Sequence, residues 1–224
     1  MDETPITYRT DRRARSIRIK IEATGSVIVV SPPFTPKFIV TSFVNRQQAW
    51  ISAQLAKLAS APQRLRAQTP TTLLVFGKSY TKQVLYQADQ PSGVTILGNR
   101  VMINPIDAQT EPTQMINRFL KSTAAHYIPA RVAQLASTMQ TTYGAITLRQ
   151  QKTRWGSCSS QGNLNFNWRL VHFEPKIIDY VIIHELAHRT HMNHSKAFWN
   201  LVEQYDPEYR LHRGFLKRYG MMVG

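Results

Sequence analysis

His184-Glu185-Leu186-Ala187-His188, with His194 six residues further on, is the stretch on which the reading of this chain turns. On a helix, residues four apart share a face, so His184 and His188 aim their imidazoles at one point. Glu185 follows the first of them and reaches water at that point rather than the ion itself. The spacing predicts a zinc site with its own general base. Zinc lowers the pKa of a bound water to about 7, and a neighbouring carboxylate takes its proton during attack on a carbonyl or phosphoryl centre. A chance H-E-x-x-H is expected roughly 0.007 times in a chain of this composition. The competing reading is a core helix with incidental histidines, and Ile177, Ile178, Val181, Ile182, Ile183, Leu186 and Ala187 are apolar enough for one. A plain core helix has no use for Glu185 at its centre, where an unpartnered carboxylate is costly to bury.

A catalytic zinc takes three protein ligands and keeps one position open. His194 is the first candidate for the third. The spacing H-E-x-x-H-x-x-x-x-x-H equals that of the metzincins, which place glycine in the middle of the second gap. His191 occupies that position here, so the turn must be made differently, and Asn193 is expected to help by adopting a left-handed conformation. Glu208 is the competing ligand, at a spacing that resembles thermolysin-like enzymes. Asp206-Pro207-Glu208 is equally well explained as a helix start: cap, first residue and first-turn acid. His191 is a weaker rival, too close to the helix end to share the ion.

Composition bounds the alternatives. The chain has 224 residues, 42% of them hydrophobic, which excludes a disordered chain and allows one large or two small domains. No apolar run has membrane-spanning length, and the polar start Met1-Asp2-Glu3-Thr4-Pro5 lacks a signal-peptide core, so a cytoplasmic protein without membrane partners is expected. Cys158 is the single cysteine, which excludes an internal disulfide and any cysteine-rich zinc cluster. The formal charge is +15. Residues 31–105, with Lys57, Arg64 and Arg66 among them, carry 8 Lys and Arg against 1 acid, and residues 144–176 carry 5 against 1. Such an excess attracts polyanions, so nucleic acid is a candidate partner of the N-terminal region. The competing reading is a generally basic, soluble surface.

Residues 6–31 read as β-structure. Ile17, Ile19 and Ile21 alternate with Arg18, Lys20 and Glu22, and a hairpin through Gly25 leads to Val27–Val30. Thr35-Pro36 reads as the cap and first turn of one helix ending near Ser60-Ala61-Pro62. Short strands follow at 73–76, 80–86, 94–97 and 101–103, the last two joined by a Gly98-Asn99 turn. A long helix runs from about Glu111 to Gln140, and Pro129 is expected to kink or divide it. Strands at 146–150 and 164–170 precede the metal helix, which Pro175 opens; further helices start near Ser195 and at Asp206-Pro207. The fold class is therefore α+β. Residues 1–108 form a basic β-rich region with one inserted helix, and residues 109–224 form the catalytic domain.

Arg154-Trp155-Gly156-Ser157-Cys158-Ser159, Gly162-Asn163-Leu164-Asn165, Asp179-Tyr180-Val181-Ile182-Ile183-His184-Glu185-Leu186-Ala187-His188 and Asn193-His194-Ser195-Lys196-Ala197-Phe198-Trp199 together resemble the YgjP-like metal-dependent hydrolases. These are grouped with the M48, WLM and SprT-like zincins. The resemblance is dense over 144–205 and looser over the N-terminal half. It implies a zincin-like catalytic domain, with His184, His188 and His194 as ligands and Glu185 as acid/base. It leaves the substrate open between peptide or protein and a nucleoside triphosphate, since both peptidase and UTP pyrophosphatase activities are attached to the family.

Arg154–Ser159 reads as a loop between strands, with Gly156 serving its turn. Arg154 is a candidate for binding a substrate carboxylate or phosphate, or for stabilising an oxyanion; the alternative is an arginine bonding loop carbonyls. Asn165 and Asn167 share a strand face and are candidates for presenting amides to substrate, and by analogy with zincins their strand would pair with a peptide. Cys158 is expected to be a packed thiol, and Trp155, Trp168 and Trp199 core residues. The whole reads as a zinc hydrolase holding one zinc per chain, a metallopeptidase first and a nucleotide pyrophosphatase second. The non-enzymatic alternative, a nucleic-acid-binding protein with a structural zinc, is disfavoured because structural sites are usually closed by four ligands.

Overall fold

Two apolar patterns, one of period two and one of period four, organise the chain into a mixed α+β structure. The computed structural model describes residues 6–21, 25–59, 71–87, 89–151 and 153–219, the side chains of 57 and 58 aside. The chain divides into two compact units, Met1–Thr69 and Pro70–Gly224. Arg64 and Arg66, and the side chain of Lys57, lie outside the described residues. No described helix is long and apolar enough to cross a membrane.

In the first unit, β1 (Ile6–Thr10), β2 (Arg18–Ile21) and β3 (Val27–Ser31) form a sheet in the order β1-β3-β2. β2 and β3 pair antiparallel, the arrangement expected of the 17–30 hairpin, while β1 joins β3 in parallel with Ile6 opposite Val27. Val27 and Val29 alternate onto the inner face and pack with Val40, Val44 and Ile51 of two helices. Those helices are α1 (Lys37–Arg46) and α2 (Gln48–Ala59). The single helix read from the sequence is thus interrupted at Gln47, whose N–H is shared between the Phe43 and Val44 carbonyls at 3.2 and 2.9 Å, a tightened turn. Thr35 does not cap α1: its hydroxyl donates to the Pro32 carbonyl at 2.8 Å, and Pro36 stands at the cap position.

The second unit opens with β4 (Thr72–Val75), β5 (Lys78–Val84), β6 (Gly93–Leu97) and β7 (Arg100–Asn104), in the order β4-β5-β7-β6. Gly98, at φ 58°, makes the tight β6–β7 turn that the sequence announced. The helix α3 (Pro112–Thr138) buries Ile116, Leu120, Ala124, Ile128, Val132 and Ala136, one residue every four. It is not divided at Pro129. The carbonyl that Pro129 cannot serve belongs to Ala125, on the exposed side of the helix where solvent satisfies it.

A second sheet holds β8 (Ile146–Arg149), β9 (Gly156–Cys158) and β10 (Leu164–Asn167) in the order β8-β10-β9. Part of the expected 154–159 loop is therefore a strand. β10 is shorter than its alternation suggested, because the Asn167 side chain accepts the Arg169 N–H at 3.2 Å and caps a 3₁₀ turn over Trp168–His172. That turn is stitched to the first sheet of its unit. Phe76 and Gly77 donate to the Val171 and His172 carbonyls at 2.6 and 3.1 Å, and His172 donates from Nδ1 to the Leu74 carbonyl at 2.7 Å.

The helix α4 (Pro175–Ala187) has Pro175 in its first turn, as its sequence required, and is buried on almost every side. α5 (Lys196–Tyr205) is capped by Ser195, whose side chain accepts the Phe198 N–H, and α6 (Tyr209–Tyr219) follows the Asp206 turn. Asp206 accepts the Glu208 N–H at 3.2 Å and holds the His212 imidazole at 2.8 Å. The elements α3, α5, α6, β9 and the 3₁₀ turn all pack on α4. Arg131 of α3 grips Asp179 of α4 with two hydrogen bonds, at 2.7 and 2.9 Å.

Candidate metal centre

The last turn of α4 and the start of α5 bring three imidazoles together. His184, His188 and His194 each offer a ring nitrogen, and these lie within 4.8 Å of one another. The Nε2 atoms of His184 and His194 are 3.1 Å apart. His188 donates from Nδ1 to the His191 carbonyl at 3.0 Å, which fixes the tautomer and leaves its Nε2 lone pair for the cluster. His191 therefore contributes its backbone to the centre. Glu208 is exposed and, among the described residues, belongs to no potential metal cluster.

The return from His188 to His194 is made without a left-handed residue. Asn193 is not among the residues with positive φ; instead the N–H groups of Arg189, Thr190 and His191 fold back onto the Leu186 and Ala187 carbonyls. Phe198 and Trp199 then wall the cluster. Phe198 packs on His184, His188 and His194 with ring centres 4.9, 4.6 and 4.8 Å away, and Trp199 stacks on His194 at 5.5 Å. Trp199, expected to be core, is a half-buried wall of the centre; Trp168 is core.

Burial favours the neutral form of two of these imidazoles. It pushes His184 down to about 3, helped by the charges of His188, His194 and Arg213, and it lowers His194 as well. Neutral imidazoles are the form that binds metal. Burial also pushes Glu185 up to about 8, against the pull of Arg154. The donor set suits zinc: two nitrogens bound at about 2.0–2.1 Å to one tetrahedral zinc stand ~3.3 Å apart, close to the spacing of His184 and His194.

The Glu185 carboxyl lies against β9. A methyl group on Gly156 would stand 2.6 Å from its Oε1 and 2.9 Å from its Cδ. Gly156 is thus needed for space beside Glu185 and not for a turn; its φ is not positive. A cleft of about 420 Å³ opens here, lined by Thr153, Trp155, Gly156, Tyr180, Val181, His184, Glu185, Arg213, Leu216 and Lys217. Burial pushes Tyr180 up to about 12, so its hydroxyl keeps its proton at neutral pH. Sequence reasoning passed over Tyr180, Arg213 and Lys217. Tyr180 lies one helical turn before His184, a signal that was available, whereas α6 reaches the cleft only through tertiary packing.

The remaining candidates divide. Arg154 is exposed, yet close enough to Glu185 to act on its charge. Asn165 and Asn167 are committed within the fold. Asn165 accepts from Arg149 at 2.9 Å and donates to the Ser157 hydroxyl at 3.3 Å. Asn167 is 3% exposed, donates to the Gln151 carbonyl and caps the 3₁₀ turn. Their strand β10 is flanked on both sides, so its backbone has no free edge to offer a peptide; β9 is the edge strand beside α4. Cys158 is half-buried, and burial together with Glu185 raises its pKa, the setting of an unreactive thiol.

An α+β fold with a histidine cluster beside a buried carboxyl is the arrangement of a metallohydrolase. The family model described as YgjP-like, metallopeptidase domain, matches residues 15–219, and the chain belongs to that family. Among solved structures, the chain is similar to the metallopeptidase zymogen abylysin of Pyrococcus abyssi, at 22% identity and TM-score 0.37, over 40% of this chain and 93% of that one. It is similar to jannalysin, the metallopeptidase zymogen of Methanocaldococcus jannaschii, at the same identity and TM-score, over 41% and 94%. Comparison with curated proteins gives no match.

Proposed function

We propose that this protein is a zinc metallopeptidase in which His184, His188 and His194 hold one zinc ion and Glu185 is the general base. The observation that carries the reading is three imidazole nitrogens within 4.8 Å of one another, one of them, from His184, belonging to a residue that lines the same cleft as Glu185. Zinc in such a site supplies Lewis acidity, polarising a carbonyl and acidifying water. Glu185 accepts the proton of the attacking water and returns it to the leaving amine. Arg154 opposes the effect of burial on this carboxyl and so favours the ionised form that accepts a proton. Tyr180, protonated at neutral pH, is a donor for the developing oxyanion. Arg154, exposed and near Glu185, is the candidate to bind a substrate carboxylate. An extended peptide would lie along the edge of β9, where main-chain hydrogen bonding is sequence-tolerant.

The test is an assay of the zinc-loaded protein and its Glu185→Gln variant on unfolded protein and on UTP, with zinc content measured in parallel. The expected result is peptide cleavage that falls by 10²–10⁴-fold in the variant while zinc is retained, roughly the contribution of a general base. Turnover of UTP without peptide cleavage would overturn the reading. Full zinc retention in His194→Ala, with loss in Glu208→Ala, would overturn the ligand assignment.

A further inference from the structure

We propose that Arg213 and Lys217 form a carboxylate-binding subsite in the wall of this cleft, selecting substrates with an acidic side chain or a free C-terminus beside the scissile bond. The proposal deepens the metallopeptidase reading and rests on it. The two residues are four apart on α6, and so share a helical face. Both line the cleft that contains His184 and Glu185, and among the described residues Glu185, itself buried, is the only acidic one in that lining.

The surroundings of the two cations distinguish them from ordinary surface charge. Arg210 on the same helix stands 3.8 Å from Glu203, and Arg131 is gripped by Asp179. Neither Arg213 nor Lys217 has a carboxylate partner among the described residues. The Arg213 guanidinium is held by a ring instead, 4.6 Å over Trp199. Trp199 is itself fixed by stacking, against Tyr209 at 5.2 Å and 15° and against His194 at 5.5 Å and 24°. A guanidinium resting on an aromatic face keeps its planar array of N–H donors available to a carboxylate. The stack therefore ties the position of a guanidinium without a carboxylate partner to that of a candidate metal ligand, and Lys217 adds an exposed second charge.

A matched pair of zinc-directed probes tests this: succinic acid monohydroxamate, which carries a carboxylate, and the hydroxamate of succinamic acid, its neutral amide. Both are titrated calorimetrically into the zinc-loaded protein and into Arg213→Gln and Lys217→Gln. Lys217 is exposed, so the second variant keeps the test sound if loss of Arg213 disturbs Trp199. The wild type is expected to prefer the carboxylate roughly tenfold or more, the scale of a charge-assisted hydrogen bond, and each variant to lose most of that preference. Peptide arms then identify the source of the carboxylate: kcat/KM for Glu against Gln beside the cleaved bond, and for free against amidated C-termini. Equal affinity for both probes would overturn the subsite while leaving the zinc reading intact. If neither probe binds, the metal reading falls and takes the subsite with it.

Discussion

Glu185 and Gly156 carry the sharpest residue-level consequences. The atoms a Gly156 side chain would strike are all in the Glu185 side chain, at 2.6 to 2.9 Å. The Glu185 side chain is buried and the clash reaches its Cγ, so Gly156→Ala should cost on the order of 1–3 kcal/mol without unfolding the protein. It should nevertheless displace the general base and lower kcat by roughly 10–100-fold, with zinc content unchanged. Thermal unfolding, zinc analysis and peptide kinetics on one preparation check this, and unaltered kcat would remove Gly156 from the mechanism. Glu185 also leaves a thermodynamic signature in the metal-free protein. Its carboxyl titrates near 8 when folded, against an ordinary value of 4.5. The folded state then binds more protons than the unfolded one between these values, and the contribution of Glu185 falls as pH rises from 4.5 to 8. Glu185→Gln should therefore stabilise the apoprotein on the order of 1–3 kcal/mol at pH 8 and little at pH 4.5. Denaturant unfolding at both pH values measures the difference.

At the scale of elements, what matters is how α4 and the 3₁₀ turn are held. His172 is buried, donates to the Leu74 carbonyl, and is pushed down to about 4 from 6.5. Here the folded state binds fewer protons than the unfolded one between pH 4 and 6.5. The stability from neutral His172 is complete above pH 6.5 and is lost as pH falls through 4, up to about 3 kcal/mol. His172→Leu should flatten the acid limb of the stability–pH curve over that window, which urea titrations at half-unit steps would resolve. The pairing of Arg131 with Asp179 ties α3 to α4 through two short hydrogen bonds. Arg131→Met should cost about 1–2 kcal/mol, because Asp179 is then left partly buried without its partner.

For the whole molecule, the second compact unit begins at Pro70 and includes the four-stranded sheet. The sequence placed the division at 108/109, ahead of the long helix. Three hydrogen bonds, from Phe76, Gly77 and His172, join that sheet to the segment just before the metal helix. A fragment of residues 70–224 should accordingly fold and bind one zinc, whereas 109–224 should lose cooperative unfolding. Circular dichroism melts and zinc analysis of the two fragments decide between the boundaries.

The sequence by itself determined what depends on neighbours along the chain. The H-E-x-x-H spacing, the Pro175 start of α4, the helix start near Ser195, the Gly98 turn and the extent of the long helix α3 are all governed by interactions within about four residues, and all were legible. Only the tertiary structure decided what depends on distant partners. Gly156 reads as a turn glycine until Glu185 is packed against it, and β10 reads as a substrate strand until β8 and β9 take both its edges. Arg213 and Lys217 lie well beyond the metal motif and reach the cleft because α6 packs on α4. Side-chain packing across helices leaves no periodic trace that marks which cation faces a site, so the identity of that wall was settled by the fold.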